Sequence, residues 1–266
     1  MAKISKIEAQ KRQGRYNVYL DGQYSFPVAE SVLVKFRLMR GVELDKEQIE
    51  VITTADQQAR AYSKILDYLS YQMRSESEVL KKLRDLETPA EFVEPIMAKL
   101  RDQHLVDDQQ YARSYVRTMM TTTLKGPGVI RQQLRLKKVG ENEIETALQE
   151  FPPADRLANA SKLARKLFKR YHNQPEFRRE QKVRQGLMMK GYSGEVYDQI
   201  KVAVTPEADP DQEANLLAAQ AEKVWRRYRR YTGMDRERRF KQAMFRKGFD
   251  LDAVQGWLDD NQESLS

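Results

Sequence analysis

The 266-residue chain contains no cysteine and only two histidines, His104 and His172, which lie far apart in sequence. Disulfides, thiolate metal sites and a cysteine nucleophile are therefore excluded, and zinc hydrolase or histidine-triad chemistry has almost nothing to build on. Glycine (12) and proline (9) are few, which argues against a disordered or loop-dominated chain. No apolar run approaches the roughly 18 residues of a membrane span. The opening Met1-Ala2-Lys3-Ile4-Ser5-Lys6 lacks the apolar core of a secretory signal, so a cytoplasmic chain is expected.

Charge is abundant, and it is unevenly placed. Residues 1–155 carry a net +1, residues 156–248 a net +12 and the last 18 residues a net −5. The excess peaks between Lys223 and Lys247, where 11 of 25 residues are basic: Lys223, Arg226, Arg227, Arg229, Arg230, Arg236, Arg238, Arg239, Lys241, Arg246 and Lys247. Like charges this dense repel one another unless an anion is near. With Arg178, Arg179, Lys182 and Arg184 upstream, they form the candidate binding surface for nucleic acid or an acidic protein; the alternative is a solvated helix face.

Periodicity divides the chain. Tyr16, Val18 and Leu20 alternate with polar residues, Asp21-Gly22 suits a tight hairpin turn, and Tyr24, Phe26 and Val28 resume the alternation. Ile4 and Ile7 suggest a further strand. A short helix with Ala29, Val32, Leu33 and Phe36 on one face is predicted to end at Gly41, and Asp45 with Gln48 reads as the capping box of another. From residue 57 onward the period is helical, with strands predicted only in the first 30 or so residues. Tyr62, Ile65, Leu66, Leu69 and Met73 form one apolar face, Ser75 and Glu78 a capping box, and Thr88-Pro89 the start of a third helix that Pro95 should kink or delay. Asp107 caps a helix bearing Tyr111, Ala112, Tyr115 and Val116, and Gly126-Pro127 opens the next.

Leu134, Leu187 and Met244 are spaced 53 and 57 apart, and Val139, Tyr192 and Phe249 repeat both intervals, which argues for a true repeat. Lys190-Gly191-Tyr192 and Lys247-Gly248-Phe249 read as helix C-caps with glycine in the left-handed conformation; Lys138 at the glycine position predicts a different cap in the second unit. The expected organisation is mainly all-α: a small α+β segment with a hairpin over 1–55, then three-helix, helix-turn-helix-like repeats over 57–106, 107–152, 153–204 and 211–262. Residues Val204 to Asp211, with two prolines and three acids, form the last linker. Repeats that touch mainly their neighbours predict an elongated array.

Three segments resemble the RecX family, the bacterial regulators of the RecA recombinase. They are Leu66-Asp67-Tyr68-Leu69 followed by Arg74-Ser75-Glu76-Ser77-Glu78 and Leu80-Lys81-Lys82-Leu83; Leu105-Val106-Asp107-Asp108-Gln109-Gln110-Tyr111-Ala112; and Lys125-Gly126-Pro127 with Ile130 and Leu134. They cover about residues 60–150, in order. The resemblance implies tandem three-helix repeats, no enzymatic activity, no cofactor or small-molecule substrate, and attenuation of RecA by binding its filament on DNA, in recombination, DNA repair and the SOS response. It implies a monomer whose partners are the RecA filament and single- or double-stranded DNA, and an N-terminal segment similar to that of the longer forms in lactic acid bacteria. Within the motifs, Leu80, Leu83, Tyr111 and Ala112 read as core, and Asp107 as an N-cap.

Two other functions compete. One is a general DNA-binding helical-repeat protein, since Trp225, Tyr228 and Tyr231 sit among the arginines; their spacing with Leu217 and Ala221 reads instead as the buried stripe of an amphipathic helix. The other is an enzyme, which nothing supports: Gly126-Pro127-Gly128 is followed by no Lys-Ser/Thr of a phosphate loop, and no carboxylate pair can be assigned to a site. The acidic tail, Asp259, Asp260 and Glu263, folds back on the basic helices or is solvated; sequence does not decide.

Overall fold

The computed structural model describes residues 1–11 and 13–261, so Glu263 of the acidic tail and Gln262 at the end of the fourth expected repeat lie outside the described residues. Packing divides the chain into two compact units: Met1–Ala112 with Arg135–Glu143, and Arg113–Leu134 with Ile144 onward.

The first unit begins with strands β1 (Ala2–Ala9), β2 (Arg15–Leu20) and β3 (Gln23–Ala29), which pair antiparallel with β4 (Glu43–Leu44) in the order β3-β2-β1-β4. Asp21 (φ 47°) and Gly22 (φ 87°) make the expected turn. The register slips between Val18 and Tyr19, and such a bulge re-aims the side chains beyond it. Phe26 and Val28 therefore stay buried, whereas Tyr24, which the alternation placed with them, is 55% exposed. Strand β4 was not legible in two residues. It exists because helix α1 (Glu30–Lys35) ends before Gly41, with Arg37 at φ 51°. Gly41 (φ 96°) instead shapes the turn into β4, its N–H donating to the Ile4 carbonyl at 2.8 Å.

Helix α2 (Lys46–Ser70) starts at the Asp45–Gln48 capping box and runs on without a break for 25 residues. Ile52 near its start packs with the sheet, and Ile65 near its end packs with α3 (Glu76–Asp85) and α4 (Ala90–Asp102), so one rod serves two cores. Its Asp56, 4% exposed, accepts two bonds from Arg15 at 2.7 and 3.0 Å and one from the Ala29 N–H at 2.7 Å. Removing either partner of such a buried pair costs about 3–5 kcal/mol. Met73 falls beyond α2 and is exposed. Pro95 lies inside α4 without delaying its start, and Thr88 does not cap it: the N-cap is Pro89, and the buried Thr88 hydroxyl has no partner among the described residues.

Helices α5 (Asp108–Thr122), α6 (Pro127–Leu136) and α7 (Glu141–Leu148) follow, with Asp107 accepting from the Gln110 N–H at 3.0 Å. The second unit holds α8 (Pro153–Arg170), α9 (Glu176–Met189), α10 (Gly194–Val204), α11 (Pro210–Arg227), α12 (Gly233–Lys247) and α13 (Leu251–Asp260). Ala160, Leu163, Val183, Leu187, Tyr192, Tyr197 and Ile200 form one core of that unit, and Leu217, Ala221, Val224, Phe240, Met244, Val254 and Leu258 another. Asp209 caps α11 through the Gln212 N–H at 2.9 Å.

Helix α9 ends as its sequence predicts. Gly191 is left-handed (φ 88°), and the Tyr192 and Gly191 N–H groups donate to Leu187 (3.1 Å) and Met188 (2.9 Å), the paired bonds of a Schellman cap. Gly248 (φ 95°) closes α12 alike. Lys138 takes the left-handed conformation without being glycine, at φ 58°, its N–H donating to the Arg135 carbonyl at 2.9 Å. Glu87 (φ 53°) and His104 (φ 53°) end α3 and α4 the same way, with the Thr88 N–H reaching Leu83 at 3.1 Å and the Leu105 N–H reaching Leu100 at 2.9 Å. Leu83 is thus the first repeat's counterpart of Leu187 and Met244, hidden in the sequence because Thr88 stands where the later repeats have an apolar residue after the cap.

A side chain held left-handed costs roughly 1–2 kcal/mol, part of which glycine returns through unfolded-chain entropy. His104→Gly should accordingly raise stability by up to about 1 kcal/mol, and Gly191→Ala should lower it by more than that. Chemical denaturation of both variants checks the sign; a loss in His104→Gly would contradict the left-handed cap.

Candidate functional site

The motif residues converge in the first unit. Ser75 and Glu78 form the capping box of α3, and Asp108 supplies a second acceptor there, taking the Glu76 N–H at 2.8 Å. Lys137, 59 residues from Glu78, donates to its carboxylate at 2.8 Å while the Ser75 hydroxyl donates to the Lys137 carbonyl at 3.1 Å. The Lys137 ammonium also lies 5.6 Å from the Tyr111 ring centre. Arg101 bridges Glu76 and Glu94, and Arg74 stacks 4.3 Å over Tyr68. Burial alone would raise the Glu78 carboxyl, but Lys137, the Ser75 N–H and Arg74 hold it below the usual carboxylate range. Asp108 goes the other way: burial and the neighbouring acids Glu76, Glu143 and Asp107 outweigh its backbone bond and push its carboxyl up. These motifs build a scaffold. The bonds of Asp108 and Lys137 to α3 were missed because nothing local in the sequence links them to that helix.

In the second unit, Gly126-Pro127-Gly128 is likewise structural. The Gly126 N–H donates to the Lys190 carbonyl at 2.6 Å and the Gly128 N–H to Gly191 at 3.0 Å. A Cβ on Gly126 would sit 2.6 Å from the Gly191 oxygen, so two backbones meet where no side chain fits. Nearby, Lys125 donates to Gln133 at 3.2 Å, and Tyr115 donates to the same amide oxygen at 2.8 Å.

The basic residues separate into held and free groups. Arg236 packs 3.9 Å from the Trp225 ring centre and donates to its carbonyl; that indole meets Phe240 edge-on at 5.3 Å. Trp225 and Tyr228 are half-buried against the core, as the amphipathic stripe predicts. Arg239 lies 4.2 Å over Tyr231 and, with Arg238, binds Asp235 at 3.0 Å, holding that carboxyl below its usual range. Arg179 is only 9% exposed, which removes it from any surface. Arg178 donates to the Arg246 carbonyl and to Gln181, Arg184 reaches Asp198 at 3.9 Å, Lys182 lies over Tyr171, and Lys247 donates to Gln220. Arg226 pairs with Glu222 at 78% exposure, where an ion pair contributes little. Arg227 and Arg229 are exposed and, like Lys241 and the Arg246 side chain, find no carboxylate among the described residues; Arg230 touches only the Tyr231 ring.

The raised Asp108 carboxyl sets a pH dependence. The folded state binds that proton more readily than the unfolded chain, whose ordinary value is 3.8, so ionisation costs stability as pH rises above it. Asp108→Asn keeps an acceptor for the Glu76 N–H without the charge. It should match or exceed the parent at pH 7 and lose that advantage in acid, whereas Asp108→Ala should cost about 0.5–2 kcal/mol. Thermal unfolding across pH distinguishes them; equal losses in both variants would mean the α3 terminus needs the charge.

Comparison with known proteins covers nearly the whole chain. The model of the regulatory protein RecX N-terminal domain matches residues 2–45, that of the RecX first three-helix domain 61–100 and that of the second 107–148. The RecX third three-helix domain matches twice, over 154–200 and 211–258. A regulatory protein RecX of Limosilactobacillus reuteri (strain DSM 20016) is 66% identical over 259 residues, 97% of this chain and 98% of its own. One of Levilactobacillus brevis is 49% identical over 264 residues, 99% of both chains. A crystal structure of regulatory protein RecX superposes with TM-score 0.70 at 66% identity, over 76% of this chain and all of its own. A crystal structure of RecX from Lactobacillus salivarius gives 0.54 at 38%, over 56% and 97%. With its motifs, its repeated caps and these matches from end to end, the chain belongs to the RecX family of regulatory proteins.

Proposed function

We propose that this chain is a non-enzymatic modulator of RecA that binds the RecA filament on DNA and limits its growth or activity, and that the exposed arginines at the end of α11 are its contact with phosphate or acidic protein. The observation that carries the reading is the run Arg226, Arg227, Arg229 and Arg230: among the described residues three of the four lack a carboxylate partner, and the fourth has a solvent-exposed one. In a chain of this family an uncompensated basic surface fits a filament whose groove presents phosphates and acidic side chains. Repeated modules add weak contacts along such a polymer. Arg236 and Arg239, spent on Trp225 and Tyr231, support the surface from below.

The test is RecA-dependent ATP hydrolysis on single-stranded DNA, titrated with this protein and with a variant carrying Arg226, Arg227, Arg229 and Arg230 all changed to Gln. A filament modulator lowers hydrolysis at amounts far below those that saturate the DNA, whereas a plain DNA binder acts only in excess. Each single-strand phosphate contact adds a slope of about −0.7 in log K against log salt, so loss of four contacts should flatten DNA binding by roughly 3. A variant with the parent's slope and inhibition would show that this face is merely solvated.

A further inference from the structure

The first unit holds a cleft of about 870 Å³ between the sheet, α1, α2 and α4, far from the arginine run in sequence and meeting the family motifs at Leu66. Several cations of that unit have carboxylate partners: Lys137 with Glu78, Arg101 with Glu76 and Glu94, and Arg15, on the cleft wall, with Asp56. The remaining cations of the wall do not. Lys35, Arg60, Lys64 and Lys99 are exposed and pair with no carboxylate among the described residues, and Glu30 is the single uncompensated acid among the lining residues. Arg60 and Lys64 stand one turn apart on α2, so both heads lie on one helix face.

We infer that this cleft binds a nucleotide segment, with phosphates on Arg60 and Lys64 and a base against Tyr24. Charge alone would suit any polyanion, including an acidic peptide. Two features favour a nucleotide. Tyr24, 55% exposed at the rim, is braced edge-on by Tyr19 at 5.9 Å, and no cation lies over its ring among the described residues, leaving a face on which a base can stack. The Tyr62 ring is occupied instead by Lys99 at 4.2 Å. Side-chain amides on the wall, such as Gln58, both donate and accept, matching base edges and offering nothing special to carboxylates. The shared chemistry is a nucleoside phosphate, which a single strand or a free nucleotide could supply.

The test uses the full chain in the background with Arg226, Arg227, Arg229 and Arg230 changed to Gln, so that the other basic surface contributes little, and a fluorescent thymidine pentanucleotide followed by anisotropy. It contains no RecA, so its outcome and that of the filament reading are independent. Arg60→Gln with Lys64→Gln should weaken binding about tenfold or more and flatten the salt slope by roughly 1.4. Tyr24→Ala should weaken it by roughly 5- to 150-fold, the range for one stacked base. Circular dichroism should show both variants folded, since all three side chains are exposed. ATP that displaces the probe at equal phosphate concentration identifies a free-nucleotide site; ATP that fails to do so identifies a strand site. Unchanged pentanucleotide affinity in both variants overturns the inference, as does a hexaglutamate peptide that binds in its place and is lost with Arg60 and Lys64.

Discussion

The fold depends on one backbone event: the left-handed residue that ends the second helix of each repeat. At that residue the chain reverses and drops the next side chain, Tyr192 or Phe249, into the core that holds Leu187 or Met244. Without it the third helix would leave in a direction that buries nothing. Gly191 carries a further burden, because the Gly126 and Gly128 backbones bond directly to the Lys190 and Gly191 carbonyls. The cap of one repeat is therefore the packing surface for the start of another helix, and a glycine-proline-glycine sequence that could be mistaken for a ligand loop is there to let two main chains touch.

Charge is handled differently along the chain. In the first unit two interior cations are matched, Arg15 with Asp56 and Lys137 with Glu78. Those pairs fix which segments meet, and their residues belong to the interior. Around the end of α11 the reverse holds. Arg227 and Arg229 are exposed with no acid to meet them among the described residues, a repulsion that the fold sustains by tucking Arg236 and Arg239 onto aromatic faces. Cations held by rings keep their charge, so the surface stays basic while its base is rigid.

Much of this was legible in the residues. The Asp45 and Ser75 capping boxes, the Asp21-Gly22 turn, the glycine caps and the helical stripe through Leu217, Ala221 and Trp225 are local patterns, and local patterns need no tertiary information. What escaped was nonlocal or broke a local rule. β4 is two residues that only β1 makes a strand. Tyr24 was misplaced by a bulge at Ser25 in its own strand. The caps at Glu87, His104 and Lys138 use residues that propensity disfavours there. For the candidate site, the basic run itself was plain, but burial of Arg179 and the stacking of Arg236 on Trp225 follow from packing that spacing does not encode.

Co-sedimentation with RecA filaments assembled on single-stranded DNA tests the central claim most directly. The protein should pellet with the filament at physiological salt, far less with bare DNA when RecA is omitted, and the four-glutamine variant should pellet markedly less. Equal recovery with bare DNA and with the filament, or a variant that pellets as well as the parent, would contradict it.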